Sequence, residues 1–274
     1  CGCAVPLQEG LNCSGNPLLP FSYDNKNNIS VKGNYDLVLT SERTVVSWKI
    51  SGIDYGQLET DGISNVFSVS SGVDHHLALL MHSTVIGWGK SSSGQIDVPT
   101  GLSDVVAISG SFEHSLALKA DGNVIAWGDN EYGQCNIPDG LSNVVSISAD
   151  MFHNLAILSD KSVVAWGTDW SGSTNVPEDL GDAIEVSAGY QYSLVLTSDG
   201  KVTAFGLNDN GQSDIPYSLT DVVSVKAGHG TNIALRSDGT VGTWGGCMDV
   251  NNDSYCDTQD ETPPGLVVLV YCDE

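Results

Sequence analysis

The chain has 274 residues, 41% of them apolar, which is enough to bury a large core. Acidic residues number 34 and basic ones 10, a net charge of −24, and Arg43 and Arg236 are the only arginines. Nucleic acids and anionic membrane surfaces need clustered cations, so both are disfavoured as partners, and the longest apolar run, residues 266–271, is far too short for a transmembrane helix.

Residues 1–28 form no full repeat and are expected to be a closure segment. Cys1, Cys3 and Cys13 crowd this end, and Cys247, Cys256 and Cys272 crowd the other. Cysteines placed so read as an extracytoplasmic disulfide framework, whose pairing the sequence leaves open. Cys1 itself has two readings, a disulfide partner or the lipid-anchored first residue of a processed lipoprotein. Both place the protein outside the cell or on its surface. Asn12 and Asn28 each begin an Asn-X-Ser sequon, in segments rich in Asn, Pro and Ser that read as loop.

From residue 29 to residue 266 one unit recurs. Trp48, Trp88, Trp127, Trp166, Phe205 and Trp244 are spaced 40, 39, 39, 39 and 39 residues apart. Thirteen residues before each stand Tyr35, His75, His114, His153, Tyr192 and Thr231. Asp121-Gly122, Asp199-Gly200 and Asp238-Gly239 are hairpin signals, and Val98-Pro99, Ile137-Pro138, Val176-Pro177 and Ile215-Pro216 close four of the units. A period near 40 with four short extended runs per unit predicts an all-β fold, a β-propeller of four-stranded blades, within a single domain spanning 1–274. The repeated indoles are expected to wedge the blades together. His75, His114 and His153 fall on successive blades and are expected to be hydrogen-bonded structural groups, since a tyrosine and a threonine take their place further on. Cys135 stands alone in mid-chain and reads as a free structural thiol.

Residues 246–261 break the sixth repeat. Asp249, Asn251, Asp253, Asp257 and Asp260 fall at loop positions 1, 3, 5, 9 and 12, and the Tyr255 carbonyl falls at 7. Alternating oxygens of this kind can wrap a hard cation, so Ca2+ is the expected cofactor. Ser254 in place of the turn glycine and Asp260 in place of glutamate depart from the EF-hand pattern.

Residues 267–274 offer a first strand with nothing after it. At the other end, Cys3-Ala4-Val5-Pro6 followed by Gly10-Leu11 echoes Cys135-Asn136-Ile137-Pro138 followed by Gly140-Leu141. Six full repeats plus a composite seventh blade built from both ends is the favoured architecture. The alternatives are six blades with the last strand added to one of them, or strand exchange between copies of the chain.

His114-Ser115-Leu116-Ala117-Leu118 and Trp127-Gly128 resemble the signatures of the regulator of chromosome condensation repeat family, over about residues 29–266. The period and the Gly-Gln and Val-Pro endings are most similar to the propeller-type β-lactamase inhibitory proteins; EF-hand and thrombospondin type 3 loops are similar to the calcium loop. The resemblance implies a propeller, usually of seven blades, but carries function poorly. It implies that an inhibitor-like binding face would use aromatic and acidic loops at one mouth. Phe112, Tyr132, Phe152, Trp170, Tyr190 and Tyr217 are the candidates, with Asp129, Glu131 and Asp169 among them.

No nucleophile, base and orienting acid stand together, and there is no phosphate loop. The function expected is therefore a non-catalytic, secreted or cell-surface propeller. It would bind a protein or assemble with itself through terminal strands, stabilised by disulfides and calcium. An enzyme inhibitor is the second reading and a carbohydrate-active enzyme the third.

Overall fold

The computed structural model describes residues 29–32, 35–49 and 60–246. The calcium-loop residues, both cysteine clusters and the sequon asparagines Asn12 and Asn28 lie outside these described residues. Within them the chain is all β: 18 strands in six antiparallel sheets of three. The first sheet holds β1 (Ile29–Lys32), β2 (Tyr35–Leu39) and β3 (Val45–Lys49); the second holds β4 (Val66–Ser71), β5 (His75–Leu80) and β6 (Val85–Gly89). The third holds β7 (Val105–Gly110), β8 (His114–Lys119) and β9 (Val124–Gly128); the fourth holds β10 (Val144–Asp150), β11 (His153–Leu158) and β12 (Val163–Gly167). The fifth holds β13 (Ala183–Gly189), β14 (Tyr192–Thr197) and β15 (Val202–Gly206); the sixth holds β16 (Val222–Ala227), β17 (Thr231–Arg236) and β18 (Val241–Gly245). In every sheet the strand order follows the chain, and the first strands of successive sheets pack beside one another. This is a propeller of repeated blades.

One expectation needs correction. The described sheets have three strands, not four. The stretch expected to be the fourth strand, around Gln134 to Pro138, curls instead through local bonds: Asn136 N–H to the Gly133 carbonyl (3.0 Å) and Ile137 N–H to the Cys135 carbonyl (3.1 Å). Pro138 has no N–H to offer a neighbouring strand. The stretch is a connection that carries the chain from one blade to the next.

The aromatic wedges explain the repeat. Trp88 packs with Leu37 and Leu39 of the preceding blade, Trp127 with Leu77 and Leu79, and Trp166 with Leu116 and Leu118. Phe205 packs with Leu155 and Ile157, and Trp244 with Leu194 and Leu196. From the second blade to the sixth, each blade thus places one large ring on the middle strand of the blade before it. The glycine after the ring is forced by space. At Gly128 φ is +103°, and a Cβ would stand 2.6 Å from the Glu113 carbonyl oxygen.

The two ends of the ring differ in what they carry. One, the loop end, holds the loops between first and middle strands and the start of each connection. The other, the hairpin end, holds the Asp-Gly turns and the entry into each first strand. There Asp104, Asn143 and Asp221 take left-handed φ values between 56° and 59°, which short polar side chains tolerate.

Candidate functional site: a polar spine under an aromatic face

Beneath the loop end runs a chain of buried polar contacts from blade to blade. The His75 Nε2 lies 3.0 Å from the Ser115 hydroxyl, which itself donates to the Gln95 carbonyl (2.8 Å). The His114 Nε2 lies 2.7 Å from Asn154 Oδ1, and the Asn154 amide donates to the Gln134 carbonyl (2.8 Å). His153 reaches the Ser193 hydroxyl (3.0 Å), which donates to the Ser173 carbonyl (2.8 Å). Since each recipient oxygen must accept, every imidazole donates through Nε2–H. The other nitrogen of His114 accepts from the Ser111 hydroxyl at 2.8 Å. At the next blade a phenol does the same work: Tyr192 OH donates to Asn232 Oδ1 (2.7 Å), and Asn232 donates to the Gln212 carbonyl (2.8 Å).

The connection carbonyls receive the indoles as well. Trp127 Nε1 donates to the Gln95 carbonyl (2.9 Å), Trp166 to Gln134 (3.2 Å) and Trp244 to Gln212 (3.0 Å). One backbone oxygen therefore fixes both a middle-strand polar group and a wedge in the following blade. Burial holds the histidines neutral: His75 is lowered to about 3, and His76, His114 and His153 to about 4, desolvation being the largest cause in each. Among the described residues no group of three or more His, Cys, Asp or Glu could hold a metal ion. The histidines are structural, as their exchange with Tyr192 indicates.

Cys135 is a free thiol, as its sequence position suggested. It donates to the Asp129 carbonyl at 3.1 Å, the place taken in a sister blade by the Ser213 hydroxyl on the Leu207 carbonyl at 2.9 Å. Burial raises its pKa to about 11, so it is not a thiolate nucleophile.

Four of the six candidate aromatics meet at the loop end. Tyr132 and Trp170 come from the connections after β9 and β12, and Phe112 and Phe152 from the loops before β8 and β11. Their rings lie edge to face: Tyr132 and Trp170 at 4.7 Å, Tyr132 and Phe152 at 4.8 Å, Phe152 and Trp170 at 5.2 Å, Phe112 and Phe152 at 6.3 Å. Trp170 remains 56% exposed and Tyr132 37%. The loops beneath them are stiffened by side-chain bonds. Gln134 accepts from Tyr132 N–H (2.9 Å) and donates to Asp129 (2.7 Å), and Asp169 accepts from Thr174 N–H (3.1 Å). Glu131 precedes Tyr132 and Asp169 precedes Trp170, so carboxylates flank the exposed rings.

The other two aromatics part from this group. Tyr190 stacks on His229 at 4.2 Å, one or two blades further round. Tyr217 is fully exposed at the hairpin end, beside Ser218, whose carbonyl accepts from Arg236 Nη2 at the end of β17 (3.3 Å). It cannot share a face with Trp170.

A residue that no sequence pattern picked out sits at the same end. The Lys32 ammonium donates to the carbonyls of Gly110 (3.2 Å) and Ala149 (3.1 Å) and pairs with Asp150 (2.9 Å). It joins the first blade to the third and fourth across the axis of the ring.

These features define a β-propeller whose blades interlock through a shared aromatic wedge. The Regulator of chromosome condensation (RCC1) repeat model matches residues 105–134 and 183–212, the third and fifth blades. The chain is a β-propeller, and two of its blades match the RCC1 repeat. Yeast RCC1 (Prp20), solved bound to Kap60, is similar at 21% identity over 79% of this chain and 69% of that one, with a TM-score of 0.67. Prp20p from Saccharomyces cerevisiae, in a study of its binding to Gsp1p and histones, is similar at 21% identity over 79% and 71% of the two chains (TM-score 0.66). The ectodomain of the Physcomitrella patens receptor kinase CR4 is similar at 18% identity over 82% and 66% (TM-score 0.71). At these identities the likeness is one of fold. No curated protein sequence matches the chain.

Proposed function

We propose that the protein is a non-catalytic protein-binding module that engages its partner with the aromatic face at the loop end. The observation that carries this reading is the contiguous group of Phe112, Tyr132, Phe152 and Trp170, with Trp170 56% exposed on a braced loop. The repeat does not require these rings, and large rigid aromatics are the residues that anchor interfaces. The flanking carboxylates favour a partner that is apolar at its centre and cationic at its edge. Propellers of similar fold are described as bound to Kap60 or binding Gsp1p and histones, which fits a binding role for the scaffold. A secreted or cell-surface setting belongs to the same proposal, with the terminal cysteines paired and Ca2+ held by the 249–260 loop.

The test is a paired comparison. Wild type, Trp170→Ala and Tyr217→Ala are used as baits in quantitative affinity capture. A specific partner should be lost with Trp170→Ala and retained with Tyr217→Ala; equal retention by both would retire the face. Enzyme inhibition is the second reading, supported by the same exposed rings. A panel of β-lactamases titrated to micromolar concentration decides it. Thiol counting by mass spectrometry and calcium titration calorimetry on the full chain test the setting, with six oxidised cysteines and one bound Ca2+ expected.

A further inference from the structure

We propose that the hairpin end carries a second docking surface, an arc of apolar residues on the first strands that takes a cationic, apolar segment of a partner protein. Five of the exposed large apolar residues stand at one position of the repeat. They are Phe67, Val106, Val145, Ile184 and Val223, between 40% and 58% exposed. Each is the residue skipped by the ladder between first and middle strands, as where the register jumps from Val105 to Ala107 and from Val144 to Ser146. Such a skip is a β-bulge, and its extra residue is left unpaired. The residue just before the bulge is buried in all five blades, at 4% exposure or less. Neither strand pairing nor the core therefore asks for an apolar side chain at the bulge itself, yet five blades in succession supply one.

The backbone holds these side chains at one level. Before the fourth-blade bulge, Val144 N–H donates to the Gly122 carbonyl in the turn of the preceding blade (3.1 Å), and the Asn143 carbonyl accepts from Ser159 N–H in the turn of its own blade (2.8 Å). Val105 and Asp104 repeat this clamp on the Ser83 carbonyl (3.1 Å) and the Ala120 N–H (2.8 Å). Neighbouring first strands are then tied to each other. The hydroxyls of Ser70, Ser109, Ser148 and Ser187 each accept a backbone N–H from the next blade at 2.9–3.0 Å. The bulges follow one another round the ring as a contiguous apolar arc, a feature that marks interaction surfaces.

The occupant is identified by charge. Asp104, Asp182 and Asp221 stand two residues before Val106, Ile184 and Val223. Asp104 and Asp221 accept from the hydroxyls of Ser103 (2.9 Å) and Thr220 (3.0 Å), and among the described residues neither has a cation at ion-pair distance. Two of the lysines at this end are already paired, Lys119 with Asp121 (3.4 Å) and Lys161 with Asp182 (2.9 Å). A net charge of −24 repels both a second copy and an anionic lipid surface. An apolar arc with an acidic edge is complemented by leucine or valine set between lysines or arginines. This inference does not rest on the aromatic face, which lies at the other end.

The experiment is fluorescence anisotropy on the full chain, with the labelled peptide KKLVLVKK as probe and EELVLVEE and KKSGSGKK as controls. One variant combines Val145→Ser with Ile184→Ser and removes the middle of the arc. A second combines Asp104→Asn with Asp221→Asn; it removes edge charge and copies Asn143 of a sister blade, so its turns keep their geometry. Wild type should bind KKLVLVKK about tenfold or more tighter than either control. The serine variant should lose about tenfold and the asparagine variant about threefold, while Trp170→Ala should stay within about twofold of wild type. Equal binding of KKSGSGKK would reduce the contact to bulk charge and overturn the proposal. So would absence of binding, unchanged binding by the serine variant, or an equal loss with Trp170→Ala. Sedimentation velocity should give wild type and the serine variant one size; a dimer that the serine variant abolishes would put a second copy on the arc and overturn the assignment.

Discussion

The two ends of the propeller are built on the same blades and differ in what the repeat permits. At the hairpin end, Asp121, Asp160, Asp199 and Asp238 repeat one device: each accepts the backbone N–H two residues on, at 2.9–3.2 Å. At the loop end the loops before the middle strands carry Phe112, Phe152, Tyr190 and His229, at positions that do not all correspond, and the connections carry Tyr132, Trp170 and Asn210. Turn geometry dictates the first set; the second is free of it. Between these two sets, the positions that agree serve the fold, and those that diverge into large rings are available for a partner.

Acid should test the shared interior hardest. His75, His76, His114 and His153 are neutral in the fold, with pKa values lowered to about 3 for the first and about 4 for the others. An unfolded chain takes up these protons near pH 6.5, so stability is intact above that pH and is lost as pH falls toward about 4. Each histidine contributes at most about 1.4 kcal/mol per pH unit in that window. Urea melts at pH 7.5, 6 and 5 should show a falling midpoint. An unchanged midpoint would mean that the imidazoles are not neutral and buried. Next, Trp127→Ala empties the wedge on Leu77 and Leu79 and leaves the Gln95 carbonyl with one donor fewer. It should cost about 3–5 kcal/mol of stability.

Smaller effects separate the two ends. Trp170→Ala removes a half-exposed ring and should change stability by less than about 1 kcal/mol while abolishing partner capture. A large loss of stability would make that ring structural. Tyr217→Ala should leave both within error, about 0.5 kcal/mol for stability. Any loss of capture with Tyr217→Ala would move the interface to the hairpin end.

The wedges, the Asp-Gly turns and the structural histidines were legible because each recurs at one spacing and answers a backbone or packing demand that recurs with it. The connection was misread as a strand because Cys135-Asn136-Ile137-Pro138 alternates like one; its curl depends on the Gly133 and Asn130 bonds, which periodicity does not report. That Phe112, Tyr132, Phe152 and Trp170 would touch follows from neighbouring blades sharing an end, which the repeat implies. Tyr217 was grouped with them because distance from the strands alone does not say which end a loop serves. By that point the chain has already crossed to the hairpin end. Lys32 left no trace in the pattern, since its partners belong to blades that are remote in sequence.

Lys32 has a consequence for how blades remote in sequence hold together. A positive charge tethered to two carbonyls and a carboxylate links the first blade to the third and fourth at the end where the aromatic rings gather. Neutralising Asp150 would leave that ammonium held by carbonyls alone and slacken the tie between the first blade and the fourth without touching a single wedge.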